Sequence, residues 1–128
     1  MCVRFHRNLH LKVSKKQNIS MWIKLKVSKF LERIKIIIRF KDYWIIRKSG
    51  LFDPTYYLIT YADIRKAEMD PLMHFVKYGW KEGRNPSASF DTTFYLESNA
   101  DVSQAKINPL VHYIRYGKNE GRKTRSAD

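Results

Sequence analysis

The chain has 128 residues, of which 44% are hydrophobic and 14% aromatic, so composition excludes wholesale disorder and length leaves room for one domain and a tail. Its formal charge of +13 is unevenly placed: residues 1–50 carry fourteen Lys/Arg against Glu32 and Asp42, a net of +12, whereas residues 51–128 carry eleven against ten acidic groups, a net of +1. A preference for anionic partners therefore belongs to the N-terminal arm alone, and the single Cys2, with no CxxC pair, points to a reducing compartment.

Residues 1–20 lack sustained periodicity and are expected to form a flexible basic tail. They contain neither the apolar stretch nor the cleavage site of a secretory signal. Met21, where the pattern begins, is an alternative start. The longest apolar runs, such as Ile36-Ile37-Ile38, fall far short of the ~20 residues that span a bilayer.

Residues 21–48 predict a basic amphipathic helix. Ile23, Val27, Phe30, Leu31, Ile34, Ile37, Ile38, Trp44 and Ile45 recur at helical spacing, with Lys24, Lys29, Glu32, Lys35, Arg39 and Arg47 largely opposite. Lys41 falls on the apolar face and Ile36 on the polar one. The alternation from Trp22 to Val27 also fits a short strand. Such a helix can lie in a membrane interface, where each basic residue contributes about 1 kcal/mol against anionic headgroups. It can equally pack on the rest of the chain or dock on a partner. Lys24, Lys29, Arg33, Lys35, Arg39, Trp44 and Arg47 are the candidate membrane or partner contacts.

An internal repeat follows. Residues 52–84 return at 90–122, with sixteen of 33 positions identical at an offset of 38, which decides for duplication over coincidence. The domains are expected at 1–20, 21–48, 49–89 and 90–128, with a third copy's first Phe falling due at position 128. Each copy reads as a helix-turn-helix. Asp53 and Asp91 suit N-caps, and Pro54 suits the first helical position. Asp63 and Asp101 read as further caps or turn formers. The second helix opens on Asp70-Pro71 or Asn108-Pro109, buries Leu72, Phe75 and Val76 or Leu110, Tyr113 and Ile114, and stops at Gly79 or Gly117 through left-handed glycine geometry. Neither copy can bury its apolar face alone, so the expected fold is all-α: a basic N-terminal helix, its Trp44 and Ile45 covering one end, followed by two stacked 38-residue repeats.

Phe-Asp-Pro-x-Tyr-Tyr-Leu, Ala-Asp-Ile/Val, Asp/Asn-Pro-Leu-x-His-Phe/Tyr and Tyr-Gly-x-x-Glu-Gly-Arg together resemble a bacterial repeat family. That family accompanies glycosyltransferases and rhamnan-synthesis-type proteins of surface-polysaccharide clusters. The resemblance covers about residues 43–123. It implies an association with glycan assembly, not a transferase activity, because no Asp-x-Asp sugar-nucleotide motif occurs; the expected location, with the arm docked, is the cytoplasmic face of the membrane.

His74, Glu82, Arg84, His112, Glu120 and Arg122 are candidate ligand contacts, weighed against buried structural histidines and local ion pairs. The tyrosines and Trp80 are weighed between sugar stacking and core packing. No P-loop, GxSxG, HExxH or zinc-type array is present, so no catalytic residue, cofactor or metal is expected. The expected partners are an anionic membrane surface or a glycosyltransferase, with a glycan as a further ligand. Two other readings are the N-terminal fragment of a glycosyltransferase and a small nucleic-acid binder, the latter disfavoured by the near-neutral repeats.

Overall fold

The chain has no glycine or proline before Gly50, and Lys, Arg and Leu supply strong helix formers throughout that stretch. In the computed structural model this segment forms one helix, α1, Cys2–Ser49. The structure describes the backbone of residues 2–127 and the side chains of residues 18–127. Where a separate flexible tail is expected over 1–20, the backbone from Cys2 onward belongs to α1; the side chains of residues 1–17 lie outside the described residues. Trp22 to Val27 is helical, so the alternation there belongs to a helix and not to a strand. Arg47 and Lys48 complement the negative end of the helix dipole. Ser49 Oγ donates to Ile46 O at 2.7 Å, and Gly50, at φ 69°, ends the helix in the left-handed region.

The remaining elements are α2 (Pro54–Thr60), α3 (Ala62–Lys66), α4 (Pro71–His74), α5 (Thr92–Ser98), α6 (Ala100–Ala105) and α7 (Pro109–His112). Helices α4 and α7 run on into π-helical turns, Phe75–Gly79 and Tyr113–Gly117. No strand occurs among the described residues, and the class is all-α. The chain divides into residues 1–38, which contribute only the first part of α1, and residues 39–128.

The second part, residues 39–128, gathers its core from α1's last turns and both copies: Ile46, Tyr57, Ile64, Leu72, Phe75, Val76, Phe90, Tyr95, Val102, Leu110 and Val111. Ile46 is fully buried and Tyr43 and Ile45 pack against the cluster, while Trp44 stays 46% exposed. The covering residues of α1 are thus Tyr43, Ile45 and Ile46, and Trp44 is not among them, because helical rotation turns it outward. Tyr113 and Ile114 are only partly buried, unlike their counterparts Phe75 and Val76.

The N-caps follow the sequence. Asp53 accepts from Tyr56 N and Asp91 from Phe94 N, both at 2.9 Å, and Asp70 accepts from Met73 N at 2.7 Å. Such caps contribute about 1 kcal/mol each. Asp63 and Asp101 do not cap; they lie inside the first turns of α3 and α6, and the N-cap positions Tyr61 and Asn99 make no side-chain cap bond.

Two aromatic triads recur with matching geometry. Phe52, Tyr57 and Phe75 sit with centroids 5.3 to 6.1 Å apart, and Phe90, Tyr95 and Tyr113 with centroids 5.2 to 6.0 Å apart. Each central tyrosine is fully buried. Its hydroxyl lies against Gly79 in the first copy and Gly117 in the second, where a Cβ would collide with the oxygen. Neither glycine is left-handed; the positive φ angles fall at Gly83 (73°) and Gly121 (68°). Gly79 and Gly117 are therefore required by close approach rather than as helix stops, and the backbone reverses four residues later.

The junction between the copies explains one departure from exact duplication. Thr92 stands where the first copy has Pro54. Its N–H, which proline lacks, donates to Asn85 Oδ1 at 2.9 Å, and its Oγ1 donates to Arg84 O at 2.8 Å. Asp53 N donates to Pro86 O at 3.0 Å, and the equivalent Asp91 N donates to Thr124 O at 2.8 Å. The strand of chain leaving each copy thus returns to that copy's first cap.

Gly79→Ala is expected to destabilise the chain by about 1–3 kcal/mol in urea unfolding, as overpacking against a fixed oxygen does. The cost should shrink when Tyr57→Phe removes that oxygen, whereas Gly121→Ala, with open space around its Cβ position, should cost about 1–2 kcal/mol of backbone strain alone. Equal penalties for Gly79→Ala with and without the Tyr57 hydroxyl would refute the close-approach account.

Candidate functional site

The candidate residues within 52–122 are held by partners inside their own copies. His74 and His112 are buried, 5% and 8% exposed, because α4 and α7 turn their inner faces to the aromatic triads. Tyr57 Oη and His74 Nδ1 are hydrogen-bonded at 2.9 Å, as are Tyr95 Oη and His112 Nδ1, the imidazole tautomer deciding which atom donates. Tyr78 and Tyr116, themselves half-exposed, lay their rings 5.8 and 5.6 Å from the respective histidines. Burial raises the Tyr57 hydroxyl well above its ordinary range and raises that of Tyr95 to about 12, so both phenols stay protonated. Burial, aided by the Arg84 charge, lowers the His74 pKa and favours its neutral imidazole.

Arg84 and Arg122 each bind two carboxylates. Arg84 places Nη1 and Nη2 on the two oxygens of Asp63 at 2.9 and 2.7 Å, and its Nε on Glu82 at 2.7 Å. Arg122 repeats this with Asp101, both contacts at 2.9 Å, and with Glu120. This two-pronged pairing matches guanidinium geometry to the carboxylate plane. The guanidinium also lies over the Tyr61 ring, 4.8 Å from Arg84 Cζ to the centroid. In the second copy Asn99 replaces Tyr61; its Oδ1 accepts from Arg122 Nη1 at 2.8 Å while its Nδ2 donates to Tyr95 O at 2.7 Å. The arginine partnership holds Asp63 below the usual carboxylate range and Asp101 at about 2.

Sequence reading paired Glu82 with Arg84 and Glu120 with Arg122 but missed Asp63 and Asp101 as their principal partners. No local spacing connects residues 21 positions apart; only the recurrence of both ends at the same offset signals it. Each histidine engages its own copy's tyrosine. Among the described residues no group of three or more His, Cys, Asp or Glu side chains gathers into a metal site.

The arm differs in kind. Lys24, Lys29, Arg33 and Lys35 are exposed on α1 and Arg39 is half-buried. Lys35 Nζ donates to Glu32 at 2.7 Å, a pair more than half exposed on both sides and worth about 0–1 kcal/mol. Lys26, absent from the candidate contacts, lies 3.7 Å over the Trp22 ring, a contact foreshadowed by their four-residue spacing. Trp44 and Arg47 belong with residues 39–128. Arg47 Nη1 donates to Tyr43 Oη at 3.3 Å, and its Cζ lies 5.4 Å from the centre of the Trp44 ring. Among the described residues no helix is long and apolar enough to cross a membrane.

Compared with known proteins, the chain matches no family model, no curated protein and no solved structure.

Two titrations test this site. The Asp101 carboxyl should titrate near pH 2 by NMR and return toward its ordinary value in Arg122→Gln. Because the folded pKa is depressed, its contribution to stability is present above the unfolded value of 3.8 and is lost as pH falls toward 2. An unshifted Asp101 would contradict the paired geometry. His74 also has a depressed folded pKa, so stability should decline as pH drops below its ordinary 6.5, and His74→Gln should flatten that part of the profile.

Proposed function

We propose that the chain is a non-catalytic module of two stacked helical repeats that serves bacterial surface-polysaccharide assembly, held at the cytoplasmic membrane face or on a glycosyltransferase by its basic arm. The observation that carries this reading is how the recurring polar side chains are used. His74 and His112 engage buried tyrosines, and Arg84 and Arg122 are each held by two carboxylates. Duplicated groups with internal partners build a scaffold rather than a reaction centre. The resemblance of both copies to repeats that accompany glycosyltransferases supplies the biological setting. The exposed basic side of α1 supplies a means of attachment that the near-neutral repeats lack.

The test is genetic. Removing the chain's coding segment from the bacterium that encodes it should lower cell-surface polysaccharide, measured as hexose released from washed cells, and a wild-type copy should restore it. A copy carrying Arg84→Gln and Arg122→Gln, which loosens both repeats, should restore less. Unchanged polysaccharide in the deletion strain would overturn the proposal.

A further inference from the structure

Residues 19–38 of α1 place Ile19, Ile23, Val27, Phe30, Leu31, Ile34, Ile37 and Ile38 on one arc of the helix, about 120° wide at 3.6 residues per turn. Ile34 is half-buried, and each of the other seven exposes half of its surface or more. Lys24 and Lys35 border the arc on one side and Lys26 and Arg33 on the other, the disposition that lets long cationic side chains reach outward past an apolar stripe. Trp22, 56% exposed with Lys26 over its ring, lies beyond the second border. Lys41 interrupts the arc, and the next apolar residues, Tyr43, Ile45 and Ile46, are used in the core of residues 39–128. The free stripe thus ends where packing begins.

We infer that this stripe is a lipid-binding face that seats α1 in the headgroup region of a bilayer rich in anionic phospholipid. The inference rests on α1 being the docking arm and names what the arm docks on. Charge complementarity selects the occupant. Within 19–38 the cations Lys24, Lys26, Lys29, Arg33 and Lys35 face a single acidic residue, Glu32, so the stripe of a second copy would bring like charges together along both borders. Nucleic acid would match the cations and leave a broad apolar surface in water. An anionic interface satisfies both halves at once: acyl chains receive the Ile, Leu, Val and Phe side chains, and lipid phosphates receive the lysines and arginine. The indole of Trp22 suits the boundary between the two regions.

The experiment uses the full chain with vesicles of phosphatidylglycerol in phosphatidylcholine, and with phosphatidylcholine alone. Co-sedimentation should be at least about tenfold stronger with the anionic vesicles. The triple variant Ile23→Ser, Phe30→Ser, Ile37→Ser keeps every cation and should bind at least about tenfold more weakly. Lys24→Gln with Lys35→Gln should weaken binding in proportion to the charge removed. A measurement independent of these variants is a blue shift of tryptophan emission on the anionic vesicles, lost in Trp22→Phe. No binding to anionic vesicles, equal binding to both kinds, or undiminished binding by the triple serine variant would each overturn the inference. Loss of polysaccharide on deletion would still stand in that case, with the arm seated on protein, so the two failures are distinguishable.

Discussion

A buried phenol hydroxyl cannot be left without a hydrogen-bond partner, and this constraint organises residues 52–122. Tyr57 and Tyr95 are the largest fully buried side chains, and each carries a polar oxygen into the interior on the ring at the heart of its aromatic triad. Leaving such an oxygen unpaired costs roughly 1–3 kcal/mol, so a partner must arrive from another helix. His74 and His112 provide it from α4 and α7, 17 residues further along the chain. The helical run that carries the histidine must then pass beneath the same hydroxyl. Only glycine fits at that point, and the π-helical widening ends on it in both copies. Tyrosine, histidine and glycine therefore form one mutually dependent set, and the duplication preserves all three together.

The arginine clamp is the outer counterpart of this inner bond. It ties the end of each copy, after the reversal at Gly83 or Gly121, to the start of α3 or α6. Exposed carboxylates contribute little individually, but two-pronged geometry and a second carboxylate on the same guanidinium make the contact directional. Each arginine meets two acidic groups within its copy, so four of the ten acidic groups of residues 51–128 are held in these clamps.

The arm and the copies consequently follow opposite rules. In residues 39–128 a shared apolar core is buried, and the recurring Tyr–His and Arg–Asp pairs are formed in both copies. Along residues 19–38 apolar groups remain exposed beside lysines and arginine. This contrast is what the proposed attachment through α1 rests on.

Much was legible in the sequence because it depends on local chemistry. The repeat, the caps at Asp53, Asp91, Asp70 and Asn108, and the apolar face of α1 all follow from side-chain type and spacing over a few residues. Other features have no local signature. Glu68 and Lys106 adopt the left-handed region at φ 52° without being Gly or Asn, at the ends of α3 and α6, where Met69 N and Ile107 N donate back to Ile64 O and Val102 O. Gly79 and Gly117 read as helix stops, and only the approach of a tyrosine from another helix shows what they are for. Asp63 and Asp101 look like caps until the guanidinium from 21 residues away is placed beside them. Trp44 and Ile46 exchange the roles suggested by the apolar pattern, because the rotation of α1 on the core decides which is covered. The sequence by itself determined the all-α class, the duplication and the separation of charge. The tertiary structure alone decided which polar groups are occupied, because partners and close approaches arise between segments that the chain brings together only on folding.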